Sequence, residues 1–165
     1  MKKSLRELCT AIAICFCATG NLFATDNQFN TDHTMDKNLN LTKEWDKVFP
    51  QSDKVSHSKV TFRNRYGITL AADMYKPKHA DGKLPAIAIS GPFGAVKEQS
   101  SGLYAQELAE RGFLTIAFDP SYTGESGGEP RYVASPDINT EDFCAAVDFL
   151  STRDDVDAEH IGILG

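Results

Sequence analysis

At 165 residues the chain has room for one domain, and its hydrophobic (41%) and charged (24%) fractions are those of an ordinary globular protein. A formal net charge of −6 excludes nucleic acid as a partner, because that role needs a basic footprint.

The first residues stand apart. Lys2, Lys3 and Arg6 precede an uncharged apolar run, Leu8–Ala18, and small residues follow. This is the layout of a secretory signal over residues 1–24, with cleavage expected after Gly20 or Ala24. The run is shorter than the roughly 20 residues of a membrane span, so no stable span is expected once it is removed. The body is then exported, to a periplasmic or extracellular destination. Ile14 before Cys15 and Phe16 before Cys17 lack the small residue that lipid attachment needs. Loss of three basic residues and one acidic residue takes the net charge from −6 to −8. Cys9, Cys15 and Cys17 leave with the signal, so Cys144 has no intramolecular disulfide partner.

Residues 25–55 are rich in Asn, Asp, Thr and Lys and read as a flexible polar leader. Leu41, Trp45, Val48 and Phe49 have helical spacing, which predicts a helix turn docking Trp45 on the domain. Asn40-Leu41-Thr42 matches a glycosylation acceptor, a short pattern that recurs by chance. The domain proper, 56–165, opens with a β-hairpin over 58–76. Val60 and Phe62 alternate with polar neighbours, Asn64 to Gly67 supply the turn, and Ile68, Leu70 and Ala72 alternate onward. Ala86–Ile89 is a continuous apolar run suited to a strand buried on both faces. A helix is predicted over Lys97–Arg111, with Tyr104, Ala105, Leu108 and Ala109 inward and Gln106, Glu107 and Glu110 toward water. Phe113–Phe118 is the next strand. A Gly- and Pro-rich loop runs from Asp119 to Ile138. Asn139 or Thr140 then caps a second helix, with Glu141 and Asp142 in its first turn and Phe143, Val147 and Leu150 as its buried stripe. After the acidic loop Asp154–Glu159, Ile161 begins a last strand.

Strand, Gly91-Pro92-Phe93-Gly94 loop, helix and strand make a βαβ unit of a parallel sheet. Such folds place their chemistry on loops at the carboxyl ends of the strands, here Gly91–Gln99 and Asp119–Gly128. The ordered set of hairpin, strand, Gly-Pro-Phe-Gly loop, helix, strand ending Phe118-Asp119, Gly-rich loop, helix and Val156–Gly165 resembles the N-terminal half of an α/β-hydrolase. The likeness is nearest the dienelactone-hydrolase and acyl-peptidase-like branch and covers about residues 55–165. It implies an α/β fold of three layers, opening with an antiparallel hairpin and truncated at the start of the nucleophile strand. It implies hydrolysis of ester or related acyl bonds in a small-molecule or peptide substrate, without a cofactor. Gly165 then matches the first glycine of the nucleophile elbow, G-x-[S or C]-x-G, and nucleophile, acid and His all lie beyond it.

The family's oxyanion hole takes one backbone N–H from the loop after the third strand. Pro92 has no N–H, so the donor is Phe93 or Gly94, with Phe93 favoured. A packed Phe93 in a simple tight turn is the plainer alternative. Gly124-Glu125-Ser126-Gly127-Gly128 is a literal G-x-S-x-G. It lacks an adjoining strand and helix, and Pro130 follows, so Ser126 is a decoy on a loop that lines the site. Lys97 reads as a solvated residue at the helix start, with Glu98 or Asp119 as ion-pair partners. His33, His57, His79 and His160 are dispersed and have no metal-type spacing.

Two rival readings differ in class. A nucleotide-binding domain would use Gly91–Gly94 for phosphates and Asp119 for ribose, but the glycine spacing departs from G-x-G-x-x-G and Pro92 removes a donor. A catalytically dead secreted module is the other.

Overall fold

The computed structural model describes residues 39–165. The expected signal, its cleavage positions and His33 lie outside them.

Alternation in the hairpin decides which side chains share a face. β1 (Val55–Arg63) pairs antiparallel with β2 (Thr69–Pro77), with Val60 opposite Ala72 and His57 opposite Tyr75. β2 pairs antiparallel with β4 (Leu114–Phe118). β3 (Leu84–Ile89) lies parallel between β4 and β5 (Val156–Leu164), giving the order β1-β2-β4-β3-β5. Helix α1 (Ser100–Ala109) connects β3 to β4, and α2 (Pro136–Ser151) connects β4 back past β3 to β5. The two connections run in opposite directions along the sheet. Right-handed crossovers therefore place the helices on opposite faces.

The two faces differ in chemistry. Toward α2, Leu70, Ala72, Ala88, Leu114, Ile116 and Phe118 pack on Ala145, Ala146, Phe149 and Leu150. Phe62 stacks on Phe149 at 5.3 Å between centroids, and Phe118 meets Phe143 edge-on at 5.0 Å. Toward α1 the apolar set is smaller, with Tyr75, Ile89, Ala105, Ala109 and Ala117. That face also carries Lys59, Asp73 and His57. Thr115 Oγ1 donates to the Ala105 carbonyl at 2.8 Å and seats α1 on the sheet.

Several boundaries shift from the sequence reading, each for a local reason. The hairpin strands are longer than 58–76, and β5 begins at Val156 rather than Ile161. α1 begins three residues after Lys97, because the Lys97 N–H is taken by the Asp119 carboxylate. Gln106 faces inward, donating to the Pro50 carbonyl and accepting from the Ser52 N–H, both at 3.0 Å, while Tyr104 is exposed. α2 begins at Pro136 after an extended Ser135, since proline's fixed φ suits the first helical position. Its buried stripe is Ala145, Ala146, Phe149 and Leu150, with Phe143 and Val147 at the margins. Glu141 binds the hairpin turn through Arg65.

Residues 39–54, read as part of a flexible leader, form an extended strap on the α1 side. Trp45 docks as expected but without a helix turn. Its Nε1 donates to the Phe49 carbonyl at 2.8 Å, and its ring meets His57 edge-on at 5.3 Å. The Val48 side chain is exposed. Gly102 permits this docking, because a Cβ there would sit 2.3 Å from the Lys97 carbonyl and 3.1 Å from Phe49.

Leu150 is fully buried and Leu103 is largely exposed. Leu150→Ala should lower the unfolding free energy of the intact protein by about 2–5 kcal/mol in denaturant titrations, as for a core leucine. Leu103→Ala should stay within about 0.5 kcal/mol. Equal effects at the two positions would contradict the assigned core.

Candidate active site

The loops after β3 and β4 leave toward opposite faces, to α1 and α2 respectively. Adjacent parallel strands with diverging loops open a crevice at their carboxyl ends. A cleft lies there, walled by Ser90–Ala95 on one side and by Pro120, Thr123, Val133 and Ala134 on the other, with Phe118 and Phe143 also lining it. Ser90 ties the strand ends together. Its N–H donates to the Leu164 carbonyl at 3.1 Å and its Oγ to the Phe118 carbonyl at 3.4 Å. β5 thus ends against the cleft, and Gly165 adjoins Phe143, where a Cβ would come within 3.3 Å of the ring.

Phe93 and Gly94 stand at the cleft. Within this loop the Ala95 N–H closes a turn onto the Pro92 carbonyl at 3.0 Å. The N–H groups of Phe93 and Gly94 have no hydrogen-bond partner among the described residues. The Phe93 side chain is 77% exposed, so the packed alternative does not hold.

Ser126 is placed very differently. It is buried, its Oγ donating to the Asp119 carbonyl at 2.7 Å and accepting from the Ala71 N–H at 2.8 Å. Both functions of the hydroxyl are structural. It pins the Gly-rich loop to β2.

Lys97 corrects the sequence reading. It is fully buried rather than solvated; Asp119 and Glu98 are the partners expected, and Glu125 is a third that was not. Its Nζ lies 2.8 Å from Asp119, 2.5 Å from Glu98 and 2.7 Å from Glu125. Asp119 is also fully buried. It accepts from the Lys97 N–H at 2.8 Å and the Glu125 N–H at 2.9 Å as well. Gly124 makes that approach possible, since a Cβ would fall 2.2 Å from Asp119 Oδ2. With its carboxylate enclosed in this way, Asp119 offers no acceptor for a ribose. A second aspartate works similarly. Asp142 accepts from the Ser121 N–H (2.7 Å), Ser121 Oγ (2.8 Å) and Asn64 Nδ2 (2.8 Å), joining α2, the β4 loop and the hairpin turn.

The charge cluster continues across the α1 face into the strap. Lys59 contacts Glu125, with Asp46 at 3.7 Å and Glu98 at 3.8 Å. Lys47 lies 2.5 Å from Asp46 and 3.0 Å from Asp73, and His57 Nε2 is 2.7 Å from Asp73. The Thr42 N–H donates to Glu125 at 2.6 Å. Carboxylate oxygens of Asp46, Glu98 and Glu125 lie within 4.8 Å of one another, but Lys59 Nζ contacts all three and already supplies the cation. Burial raises the Glu98 carboxyl above its usual range. Burial also opposes ionisation of Glu125, yet hydrogen bonds from Lys59, Lys97 and the Thr42 N–H outweigh it and hold Glu125 down at about 2. For Lys97, burial disfavours the charge and is overcome by Asp119, Glu125 and Glu98, so its pKa is raised. The Asp73 carboxyl is likewise lowered against its burial by His57 and Lys47.

The pairing of His57 with Asp73 escaped the sequence reading, which left His57 among the dispersed histidines. The available signal was the hairpin register, since cross-strand neighbours on one face meet diagonally. Cys144 is free and exposed. No described helix is long and apolar enough to cross a membrane.

Residues 66–165, which hold both cleft loops, match the family model of the X-Pro dipeptidyl-peptidases (S15 family). The chain belongs to that family. The α/β-hydrolase resemblance and the α/β fold class read from the sequence are thereby established. Among its relatives is an uncharacterized protein of Pseudomonas aeruginosa, PA2218, 65% identical over 155 residues, which are 93% of this chain and 41% of that protein. The crystal structure of PA2218 superposes with a TM-score of 0.75 at 73% identity, covering 77% of this chain and 40% of the other. An uncharacterized Escherichia coli protein, YcjY, is 49% identical over 66% of this chain and 37% of its own length. A protein of Aspergillus aculeatus named thiohydrolase aneE is 33% identical over 69% of this chain and 35% of its own length. The chain therefore spans between about a third and two-fifths of the length of these relatives.

Two outcomes follow for the S15-family site. Ser126→Ala leaves the buried Ala71 N–H without its acceptor and should lower stability by about 1–3 kcal/mol. An unchanged unfolding free energy in Ser126→Ala would contradict its role as a structural pin. Glu125, held down at about 2 from an ordinary 4.5, stabilises the fold above pH 4.5, and that stability is lost as pH falls through 2. Glu125→Gln should therefore flatten the decline of unfolding free energy across that window; an unchanged slope would show that Glu125 is not so engaged.

Proposed function

We propose that the whole protein is an exported acyl hydrolase, and that this chain contributes the oxyanion side and two walls of its cleft. The observation carrying this reading is the pair of N–H groups, Phe93 and Gly94, that have no hydrogen-bond partner among the described residues and stand at the meeting point of the carboxyl ends of β3, β4 and β5. Fixed donors aimed at developing negative charge are the largest single contribution to acyl transfer. The family membership, and a relative named as a thiohydrolase, support hydrolysis of an ester, thioester or peptide bond.

In this reading a Ser or Cys two residues past Gly165, on the turn that follows β5, attacks the substrate carbonyl carbon. A His supplied later in the protein takes its proton and returns it to the leaving alcohol, thiol or amine. The carbonyl oxygen, negatively charged in the tetrahedral intermediate, accepts from the Phe93 N–H, with Gly94 as the neighbouring donor. Water then cleaves the acyl-enzyme by the same route. No metal or cofactor enters these steps. Export rests on the basic start and the apolar run Leu8–Ala18.

The intact protein should hydrolyse p-nitrophenyl esters or acyl thioesters and be inactivated by an organophosphonate. Phe93→Pro, which deletes one N–H, should lower kcat by about 10²–10³. A folded Phe93→Pro protein that keeps most of its kcat would reject Phe93 as the donor, and an intact protein that cleaves neither substrate and resists the organophosphonate would reject the hydrolase reading.

A further inference from the structure

The cleft has two loop walls, the Gly91–Gln99 loop that presents the proposed oxyanion donors and the Asp119–Gly128 loop opposite. One fully buried side chain joins them. Asp119, at the end of β4, receives three donors: the N–H and the Nζ of Lys97 from the first loop and the N–H of Glu125 from the second. Lys97 Nζ then reaches Glu125 directly, so the two loops are tied twice. The stretch between Lys97 and the donors is short and stiff, with turns closed by Ala95 N–H on Pro92 and Gln99 N–H on Val96, each at 3.0 Å. The strap backs the same point from behind. The Val48 N–H donates to the Glu98 carbonyl at 3.1 Å, and the Thr42 N–H donates to Glu125 at 2.6 Å. Lys97 itself does not line the cleft. Enclosed by three carboxylates, it keeps its proton and serves neither as base nor as nucleophile.

We propose that Lys97 is a positioning residue for acyl transfer, setting the height of the Phe93 and Gly94 N–H groups through Asp119 and Glu125, with the strap Thr42–Phe49 as its rear support. The inference rests on the hydrolase reading above. Lys97 is predicted to act on the transition state rather than on substrate binding, because the donors it positions meet charge that is absent from the ground state.

The experiment uses the intact protein, with active sites counted by organophosphonate titration so that misfolded molecules drop out. Lys97→Met should lower kcat per titrated site by about 10-fold or more with KM little changed, as small misplacements of reacting groups do. Because Lys97→Met leaves three carboxylates short of a counter-charge, Glu125→Gln provides a gentler second variant. It retains Asp119 and Glu98 around Lys97 and should lower kcat per site by about threefold, again at constant KM. The Phe93 and Gly94 amide resonances should shift in Glu125→Gln relative to wild type. Wild-type kcat per site in both variants, with stability alone reduced, would overturn the proposal. Unmoved Phe93 and Gly94 resonances in Glu125→Gln would overturn it even in a protein showing no acyl turnover, an outcome in which the hydrolase reading fails separately.

Discussion

An ammonium group with no water around it persists when carboxylates replace that water, and Lys97 is held in this way by Asp119, Glu98 and Glu125. Removing one member of such a group strands the others, at about 3–5 kcal/mol for a broken buried pair. The arrangement is therefore constrained from every side. Gly124 must lack a side chain for Asp119 to fit, α1 must start after Lys97, and Lys59 must come from the hairpin to balance Glu125. The order of the elements along the chain brings these requirements together at one place, behind the cleft.

The sheet divides its work by face. Aromatic stacking and aliphatic burial toward α2 supply the non-directional driving force, since Phe62, Phe118, Phe149, Ile116 and Leu150 lose nearly all contact with water. The α1 face trades part of that driving force for directional contacts. Lysines and carboxylates there are expensive to bury but admit few geometries, which suits a surface that must hold two loops in register. Hydrogen bonds accepted by Asp142 from Ser121 and by Ser126 from Ala71 extend the same logic along the Gly-rich loop. A loop of this composition would be mobile on its own. Here it is fastened at Ser121, Glu125 and Ser126 by buried acceptors and donors.

Much of the fold was legible in the sequence because periodicity carried it. Val60-x-Phe62, Ile68-x-Leu70-x-Ala72 and the apolar run Ala86–Ile89 are strand signals that tertiary contacts reinforced. That the loop Gly91–Gly94 walls a cleft was legible because it follows a strand and precedes a helix at the carboxyl end of the sheet. Boundaries were misread wherever a polar side chain or backbone group found a distant partner. Lys97 left the helix for Asp119 and Gln106 turned inward for Pro50 and Ser52, while proline's fixed φ at Pro136 started α2 a turn early. The strap was the larger omission. Its composition is that of an unfolded segment, and no local signal shows that Asp46, Lys47 and Thr42 meet partners near residues 59, 73 and 125. Likewise the G-x-S-x-G at Ser126 is a nucleophile motif by spelling, and its buried, doubly bonded hydroxyl makes it a structural pin.

The central claim is that the loop after β3 presents a preorganised N–H to the oxygen of a tetrahedral intermediate. A crystal structure of the intact protein inactivated by a phosphonate ester tests it most directly, because the phosphonyl oxygen stands where the oxyanion forms. The account predicts that oxygen within about 3 Å of the Phe93 or Gly94 nitrogen, with Lys97 still bound to Asp119. A phosphonyl oxygen held by other groups, with the Gly91–Gly94 loop turned away, would contradict it.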